Sequence, residues 1–172
     1  MTDSKRANTR GQGLVEFALV LTPLFLVLLG IIQVGLVING YVTIANASRE
    51  GARSASIYLW DQTLTPAEND AARNEAARQS ILAGMGLLST SAPEFGASST
   101  WTGSGDTFTD GDLVITYTVP AGVTASDART GEQMSISLTY HLDLVIPLVS
   151  AILPHDADGR LPLGAQVTMV VN

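Results

Sequence analysis

The chain has 172 residues, enough for one membrane segment and one small folded domain of about 100 residues. Nine Lys and Arg against sixteen Asp and Glu give a formal net charge of −7, which excludes the basic surface that nucleic-acid binding needs. There is no cysteine, so the sequence offers neither disulfide bonds nor thiol chemistry and leaves the redox compartment open.

The first predicted element is a membrane-spanning helix. From Phe17 to Ile38 the only polar side chains are Thr22 and Gln33, and this run provides the roughly 20 apolar residues that a helix needs to cross about 30 Å of hydrocarbon. A signal peptide is the alternative, but its apolar core would be shorter, about 7 to 15 residues. Three basic residues precede the run and predict a cytoplasmic N-terminus with the remainder of the chain outside: Lys5, Arg6 and Arg10.

Glu16 lies at the head of this apolar run, where two interpretations are open. An acid in the headgroup layer can simply begin the helix, because negative charge suits a helix N-terminus. A carboxylate next to hydrocarbon can instead have a specific partner, because ionised residues in membrane segments tend to be functional.

The residues around Glu16 form a recognisable pattern. Gly11 and Gln12 follow a basic leader, and Glu16 is followed by the aromatic Phe17. This pattern resembles the processing site of type IV prepilins, in particular the minor pilins of the tight adherence (Tad, or Flp) pilus. Just past the span, the run NASREGAR at 46–53 is similar to a segment found at the same place in TadE-like proteins.

The resemblance implies that a prepilin peptidase cuts between Gly11 and Gln12, which makes 1–11 the prepilin leader and Glu16 the fifth residue of the mature chain. The cut would remove the basic flank and create an α-amine at Gln12. Glu16 could then pair with this amine, or with that of a neighbouring subunit, instead of facing hydrocarbon unpaired. On this account Glu16 and Phe17 are assembly residues.

The helix is expected to continue beyond the bilayer as a stalk, from about Gln12 to Leu59, which is roughly 70 Å at 1.5 Å per residue. Glu50 lies three residues before Arg53 and can pair with it on the helix surface. Arg49 shares a face with Arg53, so the two side chains could contact outer-leaflet phosphates or an acidic neighbour. A solvated face, with Arg53 paired to Glu50, is an equal alternative.

A second helix is predicted to begin at Pro66, with Thr65 as its N-cap and Glu68 completing a capping box. Its alanine-rich sequence is expected to end near Gly84 or Gly86 and to pack on a sheet.

Three later segments alternate strictly between apolar and polar residues and predict a sheet of at least three antiparallel strands: 112–119, 134–144 and 165–171. The Ser, Thr and Gly-rich stretch at 89–112 predicts a long surface loop, which Trp101 and Phe108 could anchor. The apolar connection at 145–154 is expected to be buried under the sheet. The alternative is an exposed patch that meets another pilin subunit or lipid.

The sequence shows no catalytic constellation and no metal site. His141 and His155 have no nucleophile motif or phosphate-binding loop near them. The Asp and Gly-rich turns at 106–112 and 156–159 resemble fragments of calcium loops, but they lack the full ligand spacing, and ordinary turns are the simpler interpretation. We therefore expect no cofactor and no enzymatic activity.

The sequence thus predicts an α+β, pilin-like protein with a transmembrane and stalk helix at 12–60 and an extracytoplasmic domain at 61–172. The resemblance implies a minor pilin, or pseudopilin, in the inner membrane that initiates or caps a Tad pilus or a related secretion filament. Its expected partners are the prepilin peptidase, the inner-membrane assembly platform and other major and minor pilins. The alternative is an unprocessed single-pass anchor with a ligand- or envelope-binding domain, and a third possibility is an enzyme that uses the loop at 89–111.

Overall fold

The fold is α+β, as expected, in a computed structural model that describes residues 5–90, 99–144, 146 and 153–172. Five strands form one antiparallel sheet in the order β1-β2-β3-β4-β5. The elements in chain order are α1 Lys5–Ser56, α2 Pro66–Met85, a 3₁₀ turn Gly86–Thr90, β1 Thr102–Ser104, β2 Thr107–Asp110, β3 Leu113–Thr118, β4 Gln133–Asp143 and β5 Arg160–Val170.

Helix α1 differs from the expected stalk at both ends. It begins at Lys5 rather than near Gln12, and its helical backbone continues without interruption through Gly11 and Gln12. It ends at Ser56 rather than near Leu59. Its second half lies along the sheet. A Cβ added to Gly40 would lie 3.2 Å from Leu163 Cδ1, and the Asn172 N–H donates to the Ser56 carbonyl at 3.1 Å. Helix α1 and strand β5 therefore run in the same direction.

Helix α2 begins as predicted. Thr65 Oγ1 accepts from the Glu68 N–H, and Glu68 Oε2 accepts from the Thr65 N–H at 2.8 Å. The helix ends at Met85, close to the expected Gly84 or Gly86. As expected, it packs on the sheet: Arg78 pairs with Asp110 of β2 at 2.6 Å, and the Tyr117 hydroxyl donates to Asn74 Oδ1 at 2.6 Å. It also crosses α1 closely. Two small residues, Gly51 and Gly84, permit this close helix crossing, since a Cβ at either would contact the other helix at 3.0 Å or less.

The prediction of an unbroken surface loop at 89–112 is wrong in its second half, where β1 and β2 form a hairpin around a Gly105 turn with φ 74°. Polar Thr and Ser side chains dominate both strands, so no apolar alternation marked them. The expected anchors do make contacts: Trp101 Nε1 donates to Glu75 Oε2 at 3.2 Å, and Phe108 packs edge-on against Tyr117.

The apolar core lies between α1, α2 and the inner face of β3 to β5. The three predicted strands are confirmed, and their alternating residues point inward, including Leu113, Ile115, Met134, Ile136 and Leu138. The connection at 145–154 falls largely outside the described residues. Within it Ile146 is described and is buried.

Candidate assembly surface along the first helix

Helix α1 contains a segment, Gln12–Ser56, that is long and apolar enough to cross a membrane. Its first part makes little contact with the folded domain, and large apolar side chains such as Leu14, Leu19, Phe25 and Ile31 are exposed. The first fully shielded side chain along it is Gln33, which is 1% exposed. Gln33 therefore marks the place where the domain begins to cover the helix.

The predicted processing and assembly residues lie near the start of α1. Gly11 and Gln12 have helical backbone. Phe17 is 63% exposed, and Glu16 has no ion-pair partner among the described side chains of its own chain. Glu16 lies one turn after Gln12, about 6 Å further along the helix axis. An amine created at Gln12 would therefore lie within reach of this carboxylate.

The segment 46–53 has two different faces. Its small residues Ala47, Ser48, Gly51 and Ala52 are buried. A Cβ at Gly51 would overlap the Ile81 side chain of α2, so larger residues do not fit there. These small residues therefore serve the packing of α1 on α2.

The charged residues of the same segment point outward. Arg53 Nη1 lies 3.7 Å from Glu50 Oε2, which confirms the predicted pair, and both side chains are more than half exposed. Arg49 Nη1 donates to the amide oxygen of Asn46 at 3.1 Å. Arg49, Glu50 and Arg53 thus contribute little to the core and remain accessible to a partner.

At the other end of the sheet, near Gly40 of α1, His141 lies between two carboxylates. Its Nδ1 is 2.7 Å from Asp156 Oδ2, and its Nε2 is 3.3 Å from Asp112 Oδ1. The backbone N–H of Arg160 is the main cause that lowers the pKa of Asp156. Asp158 pairs with Arg160 at 2.8 Å. Arg160 Nε also lies 3.5 Å from Asp156 Oδ2, so Arg160 engages both acids of this calcium-like turn. No cluster of metal-binding type occurs in the described part of the chain.

Sequence reasoning missed a buried polar cluster around Arg129. This residue adopts φ 58°, and its guanidinium stacks on the Tyr117 ring at 4.2 Å. It donates to Asp70 at 2.9 Å and to Glu132 at 3.1 Å, and also to Asp106 of the β1–β2 turn. Burial would lower the pKa of Arg129, but these carboxylates outweigh it and raise that pKa. Burial also raises the pKa of Tyr117, to about 12.

A second buried pair, Arg78 with Asp110, joins α2 to β2 at 2.6 Å. Burial acts to raise the pKa of Asp110, but hydrogen bonds from Thr100 and the charge of Arg78 prevail and lower it. The sequence signal that could have indicated these buried pairs is the helical spacing of polar residues on the inward face of α2. Their partners are far away in sequence, so periodicity could not identify them.

A cleft of about 270 Å³ borders the Arg129 cluster and is lined by Asp70, Asp106, Asp127 and Glu132, among others. Arg129 already engages three of these carboxylates.

Comparison with known proteins bears on the N-terminal part of the chain. The family model of TadE-like proteins matches residues 11–53, which include the expected cut, Glu16, the apolar run and the segment 46–53. No curated protein matches the chain. No solved structure matches it either. The resemblance seen in the sequence is therefore confirmed over residues 11–53, a quarter of the chain, which match the family of TadE-like proteins.

Proposed function

We propose that this protein is a minor pilin, or pseudopilin, of a Tad-type pilus. It is inserted with its N-terminus in the cytoplasm, cut by a prepilin peptidase between Gly11 and Gln12, and used through α1 to initiate pilus assembly or secretion. The proposal assigns it no catalytic role. The match of residues 11–53 to TadE-like proteins supports the family, and the division of α1 supports the mode of action.

The observation that carries the proposal is the division of α1 at Gln33. From Gln12 to Ile32 the helix extends from the folded domain, and from Gln33 onward one face of it is covered. Twenty-one residues at 1.5 Å per residue give about 31 Å, close to the ~30 Å thickness of the hydrocarbon layer. Glu16 is the one ionisable residue in that stretch. The chain thus has an anchor of bilayer length with a single acid near its cytoplasmic end.

Cleavage would change the electrostatics of this anchor. The leader carries Lys5, Arg6 and Arg10, which hold the helix at the cytoplasmic surface by the positive-inside effect. Without them the helix can move outward with less retention. Glu16 gains a partner amine at Gln12 of its own or a neighbouring chain, and a paired carboxylate costs much less in an apolar environment than a lone one.

The partners on this account are the prepilin peptidase, the inner-membrane assembly platform and other pilins, including a second minor pilin. An unprocessed anchor is the alternative, and the uninterrupted helical backbone through Gly11 is compatible with it. The two accounts predict different effects of substitutions at Gly11 and Glu16.

Three variants in cells that contain the pilus system separate these accounts. Gly11→Ala should leave the leader attached, while the matched control Gly13→Ala should be cut normally, since nothing lies within 4 Å of its added Cβ. Glu16→Ala should be cut and inserted but should fail to support pilus assembly. Normal piliation with both Gly11→Ala and Glu16→Ala would favour the permanent anchor.

A further inference from the structure

His141 joins two chain segments at one end of the sheet. Its side chain is 17% exposed and lies between Asp112, just before β3, and Asp156, in the connection before β5. Its Nδ1 is 2.7 Å from Asp156 Oδ2, and its Nε2 is 3.3 Å from Asp112 Oδ1. Each ring nitrogen faces a carboxylate oxygen, so the protonation state of the ring decides how many of these contacts are hydrogen bonds.

The carboxylate of Asp156 is held in place by its own turn. Its Oδ1 accepts from the backbone N–H groups of Asp158 at 3.0 Å and of Arg160 at 2.8 Å. The N–H of Arg160 is the main cause that lowers the pKa of Asp156, so this side chain is ionised at neutral pH. An ionised carboxylate can only accept, and the ring of His141 must therefore donate to it from Nδ1.

The second contact of the ring then requires a second proton. A neutral imidazole has one N–H, and with that N–H on Nδ1 the lone pair of Nε2 would face the carboxylate of Asp112. Two acceptors would oppose each other. Asp112 Oδ2 is buried and has no hydrogen-bond donor among the described residues, so this carboxylate depends on the ring. The imidazolium form of His141 satisfies both contacts, because both of its nitrogens donate.

The other charged groups around the ring belong to the connection, to β5 and to β4. Arg160 Nε lies 3.5 Å from Asp156 Oδ2, and Asp158 takes the outer side of this arginine at 2.8 Å. His155 is exposed and contacts a backbone carbonyl, and Asp143 lies opposite Arg160 in the strand register. Helices α1 and α2 pack on the other face of the sheet. Within the described ranges, the ring is thus the only basic group paired with the carboxylate before β3.

We propose that His141 in its imidazolium form is a pH-sensitive clasp between the turn before β3 and the connection before β5. At mildly acidic pH the ring donates to Asp112 and Asp156 and ties both segments to β4. As the pH rises and the ring loses its second proton, the contact with Asp112 is lost and this end of the domain opens more often. The clasp concerns the folded domain alone and does not depend on cleavage of the leader, so it goes beyond the proposed function.

Hydrogen exchange of the full chain in detergent measures the clasp at two amides beside it. The Thr139 N–H donates to the Asp112 carbonyl at 3.0 Å, and the Asp156 N–H donates to the Arg160 carbonyl at 2.8 Å. Dividing the rate of the unfolded chain at the same pH by each measured rate gives a protection factor. We expect both protection factors to fall about 10-fold from about pH 5.5 to about pH 8, the low end for one hydrogen bond to a charged group, because the ring is partly exposed.

Three variants identify the group responsible for this fall. His141→Gln should abolish it, because an amide side chain does not titrate, while the matched control His155→Gln should keep it. Asp112→Asn should also abolish it, since an amide at this position can donate to Nε2 of the neutral ring. No fall in the unsubstituted chain, or an unchanged fall in His141→Gln or Asp112→Asn, would overturn the inference. The last two variants change opposite sides of one contact, so either of them tests the clasp if the other does not fold.

A second measurement locates the proton itself. The chain has two histidines, so ¹⁵N NMR of the rings can be assigned by comparison with His155→Gln. At about pH 5.5 both nitrogens of His141 should carry protons. An unprotonated Nε2 at that pH, with the protection of Thr139 intact, would place the shared proton on Asp112 and overturn the inference.

Discussion

The ion pair between Arg78 and Asp110 offers a direct test of how α2 is held to the sheet. Asp110 is 2% exposed and Arg78 is 0% exposed. One Asp110 oxygen accepts from Arg78 Nε at 2.6 Å, and the other accepts from the backbone N–H and hydroxyl of Thr100 at 2.8 and 2.7 Å. Asp110→Asn keeps the shape of the side chain but removes its charge and one acceptor.

The expected loss can be worked from these contacts. Breaking a buried ion pair from one side costs about 3 to 5 kcal/mol, because the remaining charge stays buried. Arg78 keeps a 3.3 Å contact with Glu75, so we expect the low end, about 3 kcal/mol. The matched control Glu50→Gln removes the exposed pair with Arg53 and should cost less than about 1 kcal/mol.

Urea unfolding of the full chain in detergent, followed by tryptophan fluorescence, measures both variants, since Trp101 lies in the same region. The pH dependence gives a second readout. The pKa of Asp110 is lowered in the folded state, so its stabilising contribution is present above the unfolded pKa of about 3.9 and is lost as pH falls below that value. Asp110→Asn should therefore lose less stability than the unsubstituted chain between about pH 5 and 3. A loss below 1 kcal/mol at neutral pH, with an unchanged acid slope, would refute the reasoning.

Three further predictions concern other packing features. Gly51→Ala should destabilise the full chain by about 1 to 2 kcal/mol in urea unfolding, since the cost of the overlap with α2 exceeds the helix-propensity gain of about 1 kcal/mol. The control Gly35→Ala has nothing within 4 Å of the added Cβ and should be neutral or stabilising. Arg129→Met leaves the buried Glu132 without this cation and Asp70 with Arg73 alone, at 3.1 Å, and should cost about 3 kcal/mol at neutral pH in the same assay. Burial raises the pKa of Tyr117 to about 12, so the contribution of its neutral phenol to stability is complete below the unfolded pKa of about 10 and is lost as pH rises between the two values. Tyr117→Phe should remove the phenol that ionises near pH 12 in an absorbance titration.

Elements with a local signal could be predicted from the sequence. The apolar run from Phe17, the capping box at Thr65 and the alternation in β3, β4 and β5 each depend on neighbouring residues, and the structure confirms all three. The hairpin of β1 and β2 was missed because its strands are mostly Ser, Thr and Gly, although Gly105 with Asp106 is a turn pair typical of hairpins.

The features that the sequence could not predict depend on distant partners. Arg129 lies 59 residues from Asp70, and Arg78 lies 32 residues from Asp110. No periodicity connects such residues. Likewise, the sequence left Arg49 and Arg53 with three alternatives: lipid phosphates, an acidic neighbour or a solvated face.

The most direct test of the central claim is the mass of the N-terminal peptide from the full chain, expressed in its own cells with the peptidase present. The account predicts a chain that begins at Gln12, with or without N-methylation, so that Glu16 has a free amine one turn away. A chain that still begins at Met1 or Thr2, from cells that cut other prepilins, would contradict the account and would leave α1 as a permanent anchor.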